Sequence, residues 1–245
     1  MVLINTEIGY KFIRDKILTG AYPPGMSLLS RDLAKEIGIS RTPLRDALRQ
    51  LEADGLVTIR PRLGATVKSM DLQEFKDLCG MRQSLETYAA GLAAVNRTDS
   101  ELAEMLRALE AMREITARMV KLGNDRDQLE DMKLEDVRFH HVIATASKNE
   151  LLKKEILRLH LVNRVVLLTP SGSKHQLEFG GLAIRRKALK DHQRIYDAIA
   201  ARNVAEAKEA MESSLQDIID YSIQLKVLEE RAEFQSDLGL AHRPK

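Results

Sequence analysis

Asp136 and His140 stand four residues apart, and the stripe Leu129, Met132, Asp136, His140, Ile143 follows steps of three and four. On a helix that spacing puts a carboxylate and an imidazole on one mostly apolar face. The stripe Ala188, His192, Ile195, Ile199 turns one more imidazole inward. A carboxylate and two imidazoles suit a divalent cation of the zinc or nickel kind, because ligands one helical turn apart reach a common point with little backbone adjustment. In the stripe Ala207, Met211, Ser214, Ile218, Tyr221, Leu225, the hydroxyl of Ser214 takes the same kind of inward position. Arg82, on the stripe Leu78, Arg82, Leu85, Ala89, brings a guanidinium into the interior, where it needs an anion. That anion is either Glu86, one turn on, or a bound acid. Asn163, on the stripe Ile156, Leu159, Asn163, Val166, is one more polar candidate.

A second chemistry lies nearer the start. Over residues 41–54, Leu44, Ala47, Leu48 and Leu51 share one side of a helix, while Arg41, Thr42, Arg45 and Arg49 fill an adjoining sector. An arginine in the first turns of such a helix can give two hydrogen bonds to guanine O6 and N7 in the major groove. Arg31 precedes this helix, and Arg60 and Arg62 follow it.

The elements that must position these groups are mostly helical. The chain has 245 residues, 44% hydrophobic and 30% charged, with 13 Gly, 6 Pro and no Trp, enough for two domains and poor material for a large sheet. One cysteine, Cys79, excludes an internal disulfide framework and a cysteine zinc site, and suits a reducing cytoplasm. No apolar run reaches the roughly 18 residues of a membrane span, and Met1–Asn5 is too short for a signal core, so a soluble cytoplasmic protein is expected. Net charge is only +2, but residues 1–70 hold 11 Lys and Arg against 7 Asp and Glu. The basic surface is therefore local, and nucleic acid is expected there.

Periodicity predicts a helix over 6–19 with Ile8, Phe12, Ile13 and Ile17 inward. A short helix capped by Ser30 follows, then a turn at Gly38-Ile39-Ser40 and the arginine-bearing helix. Leu56–Arg60 and Ala65–Ser69, around the turn Pro61-Arg62-Leu63-Gly64, predict a β-hairpin. Beyond residue 70 the pattern predicts helices over 71–95, 98–122, 127–147, 149–168, 181–201 and 203–231. Capping pairs Asp71/Glu74, Thr98/Glu101 and Asn203/Glu206 support three of the starts.

The run Pro24-Gly25, Leu28–Asp32, Leu33-Ala34, Ser40-Arg41-Thr42-Pro43-Leu44-Arg45-Asp46-Ala47-Leu48, Leu51, Asp54-Gly55-Leu56 and the Gly64 turn resembles the winged helix of GntR-type bacterial transcription regulators. The resemblance implies that Arg31, Arg41, Thr42 and Arg45 meet operator DNA and that the wing around Gly64 reaches the minor groove. Met81-Arg82, Leu85-Glu86, Asp136–His140, Asn149, Asp191-His192, Ala198-Ile199, Ala205, Ala207 and Met211 resemble the FCD effector domain of the FadR-like branch. That likeness implies a metal held by an Asp and three His, matching Asp136, His140, His192 and the position of Ser214, where this chain departs from the pattern. It also implies that Arg82 meets a carboxylate effector.

The expected protein is mainly α. A winged helix-turn-helix of three helices and a β-hairpin wing (1–70) precedes an antiparallel α-helical bundle (71–235) and a flexible tail (236–245). Its expected function is regulation, most simply repression, as a homodimer on a near-palindromic operator. DNA contacts are expected from Arg31, Arg41, Thr42, Arg45, Arg49, Arg62 and Gly64, metal ligation from Asp136, His140 and His192, and effector binding from Arg82, Asn163 and Ser214. Two alternatives stay open: a metal-dependent hydrolase on the same three ligands, which lacks an obvious general base, and a metal-free pocket for an organic anion.

Overall fold

The computed structural model describes residues 2–122, 128–166 and 182–237. The expected breaks at Asn124–Asp127 and Thr169–Lys174, and residues 238–245 of the expected tail, lie outside them. Two compact units emerge: Met1–Asp71 with the part of one later helix from Arg158 on, and the remaining helices.

The first unit opens with α1 (Val2–Leu18), which begins four residues earlier than periodicity suggests because Val2–Thr6 contains no helix breaker. Gly20, at φ +77°, closes it with a bond from its N–H to the Ile17 carbonyl. Ile13 and Ile17 are fully buried, whereas Ile8, expected inside, is 46% exposed. α2 (Ser30–Ile37) and α3 (Arg41–Ala53) form the helix-turn-helix. Ser30 is not the cap: Leu29 holds that place with no side-chain bond, and Asp32 instead supplies negative charge to the first turn. Gly38, in the left-handed region at φ +76°, ends α2 and turns the chain into α3. On α3, Leu44, Ala47, Leu48 and Leu51 are buried as the wheel requires, and with Ile13, Ile17, Leu28, Leu56 and Val67 they make the core.

The wing contains one strand more than the sequence discloses. β1 (Ser27–Leu28) pairs antiparallel with β3 (Gly64–Val67), which pairs with β2 (Val57–Arg60), in the order β1-β3-β2. A two-residue strand has no periodicity to read, and its place is set by the partner strand. The hairpin pairs Arg60 with Gly64 across Pro61-Arg62-Leu63 and closes with a bond from the Leu63 N–H to the Arg60 carbonyl at 3.1 Å. Arg62 at φ +66° and Gly64 at φ +92° make the reversal.

The second unit is built from α4 (Leu72–Asn96), α5 (Asp99–Leu122), α6 (Leu129–Ala146), the first part of α7 (Glu150–Val166), α8 (Leu182–Ala200) and α9 (Val204–Asp237). α4 packs on α6, α8 and α9, and α5 packs on α6 and α8. Turns of two or three residues join α4 to α5, α6 to α7 and α8 to α9, as in an antiparallel bundle. The capping box at the start of α5 is complete: the Glu101 carboxylate accepts from the Thr98 N–H at 2.9 Å, and the Glu101 N–H donates to the Thr98 hydroxyl at 3.2 Å. At the start of α9 only half forms, the Glu206 N–H donating to Asn203, because the Asn203 N–H is given to the Ala198 carbonyl while the Glu206 carboxylate pairs with Arg194. α9 also runs six residues past its expected end, to Asp237.

Candidate functional site

On the first unit, α3 sets its apolar side into the core, which forces the opposite sector into solvent. Arg41, Thr42, Arg45 and Arg49 are exposed there, as are Arg31 on α2 and Arg62 and Gly64 on the wing. Arg31 lies 3.5 Å from Asp32 and Arg49 lies 3.7 Å from Asp46, both in solvent. Such exposed pairs contribute little and release their cations readily to a stronger anion. Among the described residues no ion pair engages Arg41, Arg45 or Arg62. Two basic side chains at the start of a helix seated by its leucines, flanked by a basic hairpin, form a surface that can read a DNA groove.

On the second unit, the inward stripes of α6 and α8 bring Asp136, His140 and His192 together, with one potential ligand atom from each lying within 4.8 Å of the others. His140 and His192 are buried, their rings edge-to-face at 5.3 Å, and Phe139 packs against both. Nε2 of His192 lies 3.1 Å from the Asp136 carboxylate, while its Nδ1 lies 2.7 Å from the Ala188 carbonyl, one turn back on α8. A carbonyl can only accept, so Nδ1 carries a proton, and Nε2 is the nitrogen turned toward the Asp136 carboxylate. A divalent cation placed between that nitrogen and the carboxylate would find a ligand on each side. The donor set therefore fits a divalent metal.

His140 has a charged neighbour on a different helix. Its Nδ1 lies 2.8 Å from Glu86 of α4, and the other Glu86 oxygen accepts from Nε of Arg82 at 3.0 Å. The Nδ1–Glu86 approach has ion-pair length, although the ring N–H is not aimed straight along it. Burial pushes the His140 pKa down, but Glu86 and then Asp136 outweigh it, and the net position is above the usual histidine value. Arg82 and Glu86 are both buried, so the structure supplies Glu86 as the anion that the Arg82 guanidinium needs.

Ser214 is buried on α9, and its hydroxyl has no hydrogen-bond partner among the described residues. Asn163 is half-buried in the part of α7 that belongs with the first unit, whereas Arg82, His140, His192 and Ser214 belong to the second. Helical phase alone cannot tell which unit a face serves. Sequence reasoning also left out the tie between Glu86 and His140. Its only sequence signal is the i,i+4 spacing to Arg82, which names one partner of Glu86 and not the other.

A winged helix-turn-helix followed by a helical bundle is the architecture of a DNA-binding regulator. Residues 9–67 match "Bacterial regulatory proteins, gntR family" and residues 77–217 match "FCD domain", so the chain belongs to the GntR family of bacterial transcription regulators, with an FCD domain. It is 32% identical to the HTH-type transcriptional regulator LutR of Bacillus subtilis (strain 168) over 223 residues, covering 83% of this chain and 94% of LutR. It is 25% identical to the HTH-type transcriptional repressor RspR of Escherichia coli (strain K12), over 91% of this chain and 90% of that protein. Among solved structures, E. coli McbR/YncC superposes with a TM-score of 0.68 at 22% identity, over 90% of this chain and 97% of that one. A putative GntR regulator from Rhodococcus sp. RHA1 gives 0.63 at 24%, over 89% and 97%. These structural likenesses speak for the fold.

Proposed function

We propose that this regulator is a repressor that binds a near-palindromic operator as a homodimer and senses a small carboxylate through a divalent metal ion of the zinc or nickel kind. Residues 1–70 form the DNA-binding domain and 71–235 the effector and dimerisation domain in this reading, which makes the protein a cytoplasmic regulator and no enzyme. Among the described residues no helix is long and apolar enough to cross a membrane. Arg41, Thr42 and Arg45 read base edges, Arg49 and Arg31 meet phosphates, and Arg62 with Gly64 places the wing in the minor groove. Two copies related by a two-fold axis read the two half-sites. Repression is supported by the likeness to RspR, whose own name describes a repressor.

The observation that carries the metal reading is the imidazole of His192, anchored through Nδ1 with its second nitrogen facing the Asp136 carboxylate. Asp136, His140 and His192 would hold the ion. When bound, it supplies a positive centre for the oxygens of a carboxylate effector. Ser214 stands where most FCD domains of this pattern place a third histidine; its hydroxyl can hydrogen-bond a water or an effector oxygen but is a poor ligand beside imidazole. Arg82, paired with Glu86, would face a bound carboxylate only by sharing its remaining N–H donors. Asn163 stays an effector candidate only if the ligand also reaches α7. The regulator relatives weigh against the hydrolase alternative, and the buried Glu86 partner of Arg82 weighs against a metal-free pocket built on that arginine.

Zinc and nickel titration of the purified, metal-stripped chain by calorimetry tests the site. Operator gel shifts with and without a panel of small carboxylates test the sensing. One metal per chain and an effector response that disappears in His192→Ala are expected. Metal uptake unchanged by His192→Ala would remove the site.

A further inference from the structure

We propose that Glu86 is a positioning residue that holds the proton of His140 on Nδ1 and so leaves Nε2 as the nitrogen open to a divalent cation. This rests on the metal reading above and extends it to a different helix. Nδ1 of His140 lies 2.8 Å from a Glu86 oxygen, and the two side chains are only 3% and 2% exposed. A lone pair on Nδ1 would meet a carboxylate lone pair at that distance with little water to separate them, which favours the proton on Nδ1. Arg82 holds the other oxygen of Glu86 at 3.0 Å, from one turn earlier on α4. One oxygen thus accepts from Arg82 while the other faces His140 at ion-pair distance. His192 is treated the same way by a different device, its Nδ1 bound to the Ala188 carbonyl. Both imidazoles are held at Nδ1, and both keep Nε2 for a shared ligand. Partners behind a metal-binding histidine of this kind change metal affinity by about 10- to 100-fold when removed.

The chain from Arg82 through Glu86 to His140 makes an unusual demand on an isosteric replacement. Glutamine has one acceptor oxygen and one donor nitrogen. In Glu86→Gln the charged Arg82 claims the oxygen, and the amide NH2 faces His140. Nδ1 must then accept, the ring proton moves to Nε2, and the nitrogen meant for the cation is blocked. Removing Arg82 as well frees the glutamine to turn its oxygen back to His140.

The test uses the full-length chain and zinc alone, with affinity read by competition against a chromophoric chelator and folding checked by circular dichroism. Glu86→Gln is expected to bind zinc about 10- to 100-fold more weakly. The double variant Arg82→Met/Glu86→Gln, which removes both charges of the buried pair, is expected to recover most of that loss. Long-range 1H–15N spectra of the metal-free proteins, at alkaline pH where the ring is neutral, should show the His140 proton on Nδ1 in the parent and the double variant and on Nε2 in Glu86→Gln. An unchanged zinc affinity in Glu86→Gln, or a double variant as weak as the single, overturns the proposal. If the parent binds no zinc, the metal reading falls while the tautomer spectra still decide the role of Glu86. If Glu86→Gln does not fold, the double variant decides: a proton on Nε2 there refutes it.

Discussion

Arg45→Ala is the perturbation that probes the DNA surface most cleanly. Arg45 is exposed on α3, and the buried residues of that helix lie on the other side, so its removal leaves the core intact. No ion pair among the described residues engages it, so no attraction within the protein has to be broken before it can reach DNA. A bidentate contact to guanine is worth about 1–3 kcal/mol. On a two-fold operator the contact is made twice, giving about 2–6 kcal/mol, or roughly 30-fold to more than 10,000-fold in affinity. Gel-shift titration against the operator and a scrambled duplex at fixed salt measures it. Operator affinity should fall by that factor and scrambled-DNA affinity by far less, because a base contact carries sequence information and a phosphate contact does not. Equal losses on both duplexes, or an operator loss below about fivefold, would refute the placement of Arg45 in the groove.

Three further outcomes are expected. Ser214→His should tighten zinc binding and retain the metal through dialysis against a mild chelator, and calorimetry showing no gain would mean either that α9 does not face the ligand cluster or that no metal site exists there. Zinc affinity should fall steeply as the pH drops through the raised His140 pKa, by up to about tenfold per pH unit for that one displaced proton; a flat profile between neutral and mildly acid pH would exclude His140 as a ligand. Burial alone would raise the pKa of Glu101, but Lys148 and the Thr98 cap outweigh it and hold it below the usual carboxylate value. A lowered native pKa stabilises above the unfolded value and is lost as pH falls through the native one. Glu101→Gln should therefore cost about 1–2 kcal/mol near neutrality and almost nothing in acid below that pKa, as read from urea unfolding at several pH values.

How much of this was legible in the sequence depends on the range over which each feature is decided. The ends of the bundle helices fall within two residues of the periodic pattern, except at the C-terminus of α9, because caps and apolar stripes act over one or two turns. The inward turn of Asp136, His140 and His192 is likewise a matter of helical phase. β1 was invisible because two residues carry no period and β3 alone defines it. The expected Ser30 cap failed by one residue, a distance at which Leu29 and Ser30 differ only in backbone angles. The approach of Glu86 to His140 joins residues 54 positions apart, and the assignment of Asn163 to the first unit depends on which unit α7 serves at that point. Both are facts of packing and have no local signature.

The short strand at Ser27–Leu28 has a consequence for how copies of this protein meet. In the order β1-β3-β2 the two outer strands are β1 and β2, and an outer strand with open N–H and C=O groups invites another chain to extend the sheet. β1 is only two residues long and follows closely on Pro23-Pro24, while β2 ends at Arg60-Pro61 with a cation and then a residue that cannot donate. Neither rim offers a template of useful length. Extension of the sheet from the wing of one copy to that of another is disfavoured by both rims.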